Sequence, residues 1–174
     1  SVDADWRIPH FEKMLYDNGQ LVPVYLQGFK ATGREAWARI VAECCDWVLN
    51  EMVLPSGGIA ASLDADSEGE EGRFYAWTPT QVRDVLGVLD GVRVATLLQV
   101  SDEGSFEHGT SVLRTEPLAE DMEPEDAELL ARALPRPRAA QEARVRPDRD
   151  DKVITAWNAL MLGGLAQAGA TPVP

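Results

Sequence analysis

The chain has 174 residues, 45% of them hydrophobic and 26% charged, close to the globular average and enough apolar material for one core. No run reaches the ~20 apolar residues that a membrane-crossing helix needs. A formal net charge of −13 speaks against nucleic acid and anionic membranes as partners; an acidic surface alone selects no partner.

Ser1-Val2-Asp3-Ala4-Asp5-Trp6 has no basic n-region and no apolar h-region, so it does not read as a signal peptide. A polar, Asp-rich, Trp-bearing start reads as the interior of a longer chain. Phe11, Met14, Leu15, Val22, Tyr25, Leu26 and Phe29 recur at helical spacing and predict a first helix over 11–29. Pro23 should kink it, its ring crowding the carbonyl of Gly19, where the missing Cβ eases the fit. Thr32-Gly33-Arg34-Glu35 reads as a capping box with Thr32 as N-cap and Glu35 at N3. A second helix follows, burying Trp37, Ile40, Val41, Cys44, Val48 and Met52 and ending at Pro55-Ser56-Gly57-Gly58. The two helices make an αα-hairpin. Cys44 and Cys45 are neighbours about 100° apart on a helix, which strains a bond between them. They read as buried free thiols, and with no Cys-x-x-Cys present the expected setting is the reducing cytoplasm.

Residues 58–63 and 73–77 are β-capable and flank an acidic, Gly-bearing loop, which predicts a β-hairpin. Thr78-Pro79-Thr80-Gln81 is a capping box with Pro79 at N1, opening a short helix that Gly87 stops. Helix is expected over 88–100, loop with at most one short strand over 101–117, and helix over 123–134, whose acidic first turn suits the macrodipole. The Arg- and Pro-rich stretch 132–149 should run over the surface, helical in part around 139–145. A last helix starts near Asp151, with Val153, Ile154, Trp157, Leu160, Met161 and Leu165 as its apolar face. No partner for it is evident, which reads as a truncated helical array.

Three dense polar motifs stand out. In the first, Asp3 to Asn18, Pro9 places His10 at a helix start, so that His10, Lys13 and Asp17 share one helical face. An acid, a base and an imidazole together can move protons; the bland alternative is a solvated face with a weak ion pair. Asn18 falls in the apolar stripe and should bond a neighbouring turn. The second is Asp64-Ala65-Asp66-Ser67-Glu68-Gly69-Glu70-Glu71-Gly72. It imitates the start of a calcium loop, but Tyr75 occupies the twelfth place and the flanks read as strands. Strand alternation puts Asp64 and Asp66 on one face, where paired carboxylates can hold hydroxyls or share a proton. The alternative is a solvated hairpin tip. The third is Arg149-Asp150-Asp151-Lys152-Val153-Ile154-Thr155-Ala156-Trp157-Asn158. Asp151 suits a helix N-cap, and Asp151, Thr155 and Asn158 then line a face beside the Trp157 indole, a combination able to grip a sugar ring. The two histidines, His10 and His108, lie far apart, and His108 reads as a surface residue. No metal-ligand spacing, phosphate loop or nucleophile elbow is present, so neither metal nor cofactor is expected.

Taken together, Asp3-Ala4-Asp5-Trp6 with Pro9-His10-Phe11-Glu12-Lys13-Met14-Leu15-Tyr16-Asp17-Asn18, Asp64-Ala65-Asp66-Ser67 followed by Gly72-Arg73-Phe74-Tyr75-Ala76-Trp77-Thr78, and Asp150 to Asn158 resemble the signatures of the YyaL-type family related to spermatogenesis-associated protein 20. The resemblance covers nearly the whole chain. It implies a mainly α fold, a partial (α/α)6 toroid of the six-hairpin glycosidase-like and N-acylglucosamine 2-epimerase-like kind, with a small β-hairpin. Residues 1–174 would be a single toroid fragment, with the family's thioredoxin-like domain and remaining hairpins absent. Gly19 stands where Ala is expected, Ile59-Ala60-Ala61 replaces a more aromatic stretch, and Ala159 replaces a usual Gly. The resemblance implies a carbohydrate-processing domain, with His10, Asp64, Asp66 and Asp151 as acid/base candidates. Trp6, Lys13, Asp17, Trp157 and Asn158 would bind a sugar-like substrate. The alternative is a non-catalytic module that binds ligands or client proteins beside the redox domain. Exposed apolar helix faces would favour oligomers.

Overall fold

Strand pairing, rather than apolar periodicity, decides where the first helix begins. The computed structural model describes residues 3–4, 7–115 and 122–171. Among them, in chain order, are β1 (Lys13–Met14), α1 (Leu15–Thr32), α2 (Glu35–Trp47), a π-helical turn (Val48–Met52), β2 (Ser62–Leu63), β3 (Asp66–Ser67) and β4 (Glu70–Glu71). Then come α3 (Pro79–Leu86), α4 (Val88–Leu97), a 3-10 turn (Glu107–Gly109), α5 (Pro124–Ala133), α6 (Pro135–Glu142), β5 (Arg149–Asp150) and α7 (Thr155–Gly169). The protein is mainly helical with two small sheets. It divides into two compact units: Glu12–Asp64 with Asp148–Pro174, and the described parts of Ser1–Phe11 with Ala65–Pro147. The first is called the sheet unit below, and the second the inserted unit.

In the sheet unit, β1, β2 and β5 form an antiparallel sheet in the order β1-β2-β5. Lys13 pairs with Leu63 and Met14 with Ser62, so these backbones are extended and α1 begins at Leu15 rather than at 11. It runs unbroken through Pro23. Gly33, at φ 71°, closes α1 by donating its N–H to the Phe29 carbonyl. The Thr32 hydroxyl donates to the Gly28 carbonyl, so Thr32 ends α1 instead of capping α2, whose N-cap is Arg34. The αα-hairpin of α1 and α2 forms as expected.

The expectation that the last helix lacks a partner is corrected: α7 packs along α1. A Cβ on Gly19 would lie 2.9 Å from the Met161 backbone nitrogen, and one on Gly164 would touch Val22 at 3.4 Å. Two glycines thus let the helices approach closely, and this contact, rather than relief of Pro23, is what Gly19 serves. Leu15, Val22, Leu26, Val41, Val48, Met52, Ile59 and Met161 fill the core, each buried side chain contributing roughly 1.5–3 kcal/mol. α7 starts at Thr155 with Ile154 as N-cap, so Asp151 precedes the helix and does not cap it.

In the inserted unit the expected pairing of 58–63 with 73–77 does not occur. The acidic segment itself folds into the hairpin β3–β4, with Ser67 opposite Glu70. Glu68 (φ 55°) and Gly69 (φ 77°) are both left-handed, the backbone of a type I′ turn whose twist suits a two-residue hairpin. Trp77 forms its bridge with Ser111 instead. The Thr78 capping box forms in both directions with Gln81, and Gly87 (φ 83°) separates α3 from α4. α6 begins at Pro135, ahead of the expected 139, because proline's fixed φ suits N1 and it has no N–H there to leave unpaired. Residues 116–117 of the expected loop lie outside the described residues. Trp77, Val82, Leu86, Val94, Leu98, Leu129 and Leu130 form this unit's core. Arg144 fastens it, its Nη1 donating to the carbonyls of Phe74 (2.9 Å) and Ala76 (2.8 Å) while its guanidinium lies 4.0 Å from the Trp77 ring centre.

Candidate functional site

The three-stranded sheet of the sheet unit joins all three polar motifs. β1 comes from the first, β2 leads into the second and β5 opens the third. The register places Lys13 opposite Leu63, and Leu63 opposite Arg149; Met14, Ser62 and Asp150 form the adjacent row. Directly opposed residues of an antiparallel pair share a face, so Lys13 and Arg149 flank Leu63 on one side of the sheet. The Asp64 N–H donates to the Asp148 carbonyl at 2.8 Å, extending the β2–β5 pairing by one step to the carboxylate-bearing residue.

Each candidate has a definite place. Lys13 is half-buried, and loss of hydration pushes its amine down to about 8. Asp17 is exposed in the first turn of α1. Because α1 starts at Leu15, His10, Lys13 and Asp17 do not share a helical face, which corrects that expectation. Asp64 is exposed just beyond β2. Asp66 is exposed on β3, paired with Glu71; the chain breaks from one strand to the next between them, so the predicted common strand for Asp64 and Asp66 does not form. Asp151 is exposed and accepts from Arg149 Nε at 2.6 Å, while Arg149 Nη1 donates to the Glu51 carbonyl at 2.8 Å. Asp151 is outside α7, so it does not share a helical face with Thr155 and Asn158. Hydrogen bonds from the Lys152 ammonium and backbone hold the Asp150 carboxyl below its ordinary value.

The aromatic and amide candidates are engaged locally. Trp157 meets Tyr16 edge-on, with ring centres 4.9 Å apart. Asn158 clasps the backbone of Ile59: its Nδ2 donates to the Ile59 carbonyl and its Oδ1 accepts the Ile59 N–H, both at 2.9 Å. That bond positions the strand approach to Asp64. Asn18 donates to the Met14 carbonyl of the preceding turn, as expected, and its Oδ1 accepts from the Cys44 thiol at 3.1 Å.

The inserted unit carries its own cluster. Phe11 stacks on Tyr75 (5.9 Å) and tilts against Phe106 (5.1 Å), and His10, exposed, precedes Phe11. Gly72, at φ 70°, makes room: a Cβ there would come within 2.7 Å of the Phe11 ring. His108 is exposed, as expected. Trp6 lies outside the described residues. Sequence reasoning passed over Tyr16, Arg149, Tyr75 and Phe106. Tyr16 and Tyr75 sat inside the quoted motifs, where an aromatic next to acids was the available signal, whereas Phe106 had none.

The fold and these placements define a class: a protein of helical hairpins whose polar motifs are knitted together by two-residue strands. No protein-family model matches the chain. The chain is similar to spermatogenesis-associated protein 20 of Mus musculus, 33% identical over 98% of this chain and 25% of that protein. It is similar to that of Homo sapiens, 31% identical over 98% and 26%, and to an uncharacterized Caenorhabditis elegans protein, 30% identical over 97% and 27%. These likenesses support the spermatogenesis-associated protein 20 family. The chain spans about a quarter of the length of the curated relatives it matches.

Proposed function

We propose that the chain is part of an (α/α)6 toroid that processes a carbohydrate-like substrate by acid/base chemistry, of the epimerase or glycoside-hydrolase kind. The observation that carries the reading is the meeting of all three motifs on the β1-β2-β5 sheet. Three stretches far apart in sequence converge on one small sheet, which is more than a solvated face requires. Asp64 and Asp151 are the carboxylates that hold hydroxyls or transfer protons there, Lys13 and Asp17 bind, and the Trp157–Tyr16 pair supplies an apolar wall for the CH face of a ring. Asn158 acts as a positioning residue through Ile59. His10 and Asp66 are the acid/base candidates of the inserted unit, where Phe11 and Tyr75 offer stacking. In its parent the toroid works beside a thioredoxin-like domain in the cytoplasm.

Calorimetric titration of the protein with a panel of aldoses, ketoses and N-acetylated sugars tests this. Saturable binding, lost on Asp64→Asn or Asp151→Asn with the fold intact, supports the reading. Absence of binding across the panel sinks it. A second reading, a non-catalytic module for ligands or client proteins, is favoured by the structural use of Arg149, Asp150 and Asn158. Binding of an unfolded client peptide that survives Asp64→Asn would select it.

A further inference from the structure

We propose that the outer face of α7 is a self-association surface, on which a second copy of this chain docks to form a two-fold dimer. The inference goes beyond the carbohydrate reading and does not depend on it. α7 has no charged face. From Thr155 to Gly169 it holds no acidic or basic residue, although 26% of the chain is charged and a surface helix ordinarily lays charges along its solvent side. Met161 and Gly164 turn inward against α1, but Leu160 is 44% exposed and Leu162 58%. Ala156, Ala159, Gly163 and Ala166 beside them are exposed as well. α1, packed alongside, carries no charge from Asn18 to Phe29 and leaves Val24 62% exposed. A helix apolar on every side belongs in an interior, and an exposed apolar patch of this kind marks a contact surface.

Charge decides what covers it. Each copy has a net charge of −13, so two copies repel across most of their surfaces. In a two-fold contact a residue near the axis meets its own copy, and a carboxylate there would face a carboxylate. The α7 face avoids this, because it opposes leucine and alanine side chains and no like charges. It also holds no charge by which an acidic or a basic partner would be selected. A second exposed apolar patch, Val88 and Leu89 on α4, differs in this respect. It lies on a helix that carries the ion pairs Asp90–Arg132 (3.2 Å) and Arg93–Asp126 (2.6 Å), which a second copy would strip of water. The area fits a modest dimer. α7 is about 23 Å long at its 15 residues. With the neighbouring side of α1, about 10 Å away, it offers on the order of 500 Å² per copy, or about 1,000 Å² in all, the lower limit for a specific interface. A contact at that limit gives a dissociation constant on the order of 10 µM.

Sedimentation velocity of the 174-residue chain from about 1 to about 200 µM, a range that brackets this constant, tests the proposal. The expected result is a monomer at the low end and a dimer, with no larger species, at the high end. Raising the ionic strength from about 0.05 to about 0.5 M should tighten the dimer, since salt screens the repulsion between two acidic copies and leaves an uncharged contact alone. Gly163→Glu is the decisive variant. Among the described residues a Cβ there meets nothing within 4 Å, so the chain still folds, while the contact now opposes two carboxylates and should weaken at least about tenfold. Leu89→Glu adds the same charge at a residue 88% exposed on α4 and should leave the dimer unchanged. Circular dichroism checks the fold of each variant. A monomer across the whole range overturns the proposal and leaves the face to another segment or another protein. A dimer that survives Gly163→Glu, or that Leu89→Glu abolishes instead, overturns it by placing the contact elsewhere. Weakening by salt overturns it too, since ion pairs would then hold the copies together, and growth into open-ended oligomers rules out the two-fold arrangement.

Discussion

Cys44 and Cys45 show how burial turns a reactive group into a quiet one. Loss of hydration, followed by the neighbouring thiol, pushes Cys44 up to about 11, and burial followed by Asp46 raises Cys45. Only the thiolate attacks, so at pH 8 Cys44 should react with Ellman's reagent at least about tenfold more slowly than free cysteine, and Cys45 should also react more slowly than free cysteine; absorbance at 412 nm would reveal this, and reaction of both at the free-thiol rate would refute it. The same shift has a stability sign. The unfolded thiol loses its proton near 9 and the folded one near 11, so Cys44 contributes stability that is present below pH 9 and lost between 9 and 11. Lys13 acts oppositely. Its folded form releases a proton near 8 and its unfolded form near 10.5, so it destabilises the fold below pH 8 and ceases to do so as pH rises to 10.5. Lys13→Met should therefore raise the urea midpoint at pH 7 and leave it unchanged above pH 10.5; a rise of equal size at both pH values would assign the effect to packing instead.

Among the elements, contact between α1 and α7 rests on glycine. Gly19→Ala brings a Cβ to 2.9 Å from the Met161 backbone nitrogen, which backbone cannot yield cheaply. A loss of about 1–3 kcal/mol is expected. Gly163, also on α7, has open space around its missing Cβ, so Gly163→Ala should stabilise by up to about 1 kcal/mol through helix propensity. Urea denaturation of the two variants gives opposite signs if the helix contact is as described. Arg144→Lys should cost about 1–3 kcal/mol, since an ammonium cannot reach both carbonyls and also lie flat on Trp77. Much at this scale was legible in the sequence. The capping box at Thr78, the stop at Gly87 and the α1–α2 hairpin each rest on local chemistry that neighbouring residues announce. The three-stranded sheet was not legible, because two-residue strands have no period to detect and their partners lie far away in sequence. Lys13 and Met14 satisfy the helical spacing of their own segment, and only the pairing with Leu63 and Ser62 overrides it. The motifs that carry the candidate site can be picked out one by one, but not the faces they present: Asp151 suits a helix N-cap, yet the helix starts four residues later, at Thr155.

For the molecule as a whole, no helix among the described residues is long and apolar enough to cross a membrane. Each unit has its own core, and the segment Ala65–Pro147 enters and leaves between β2 and β5, which are antiparallel neighbours. Replacing Ala65–Pro147 with an Asn-Gly turn, in a chain starting at Glu12, should therefore close β2 and β5 into an ordinary hairpin and leave a folded sheet unit. Far-ultraviolet circular dichroism with a cooperative thermal transition would show it, and a chain without such a transition would disprove it. The junction has a further consequence. Ser67 Oγ donates to the Val145 carbonyl at 2.6 Å, three residues inside the point where the Asp64 N–H meets the Asp148 carbonyl. Each unit thus pinches the same two strands of chain from its own side, like two clasps on one pair of threads. Whichever unit forms first shortens the loop that the other must close, and so lowers the entropy that the other surrenders. The two cores can help each other to fold through the covalent chain alone.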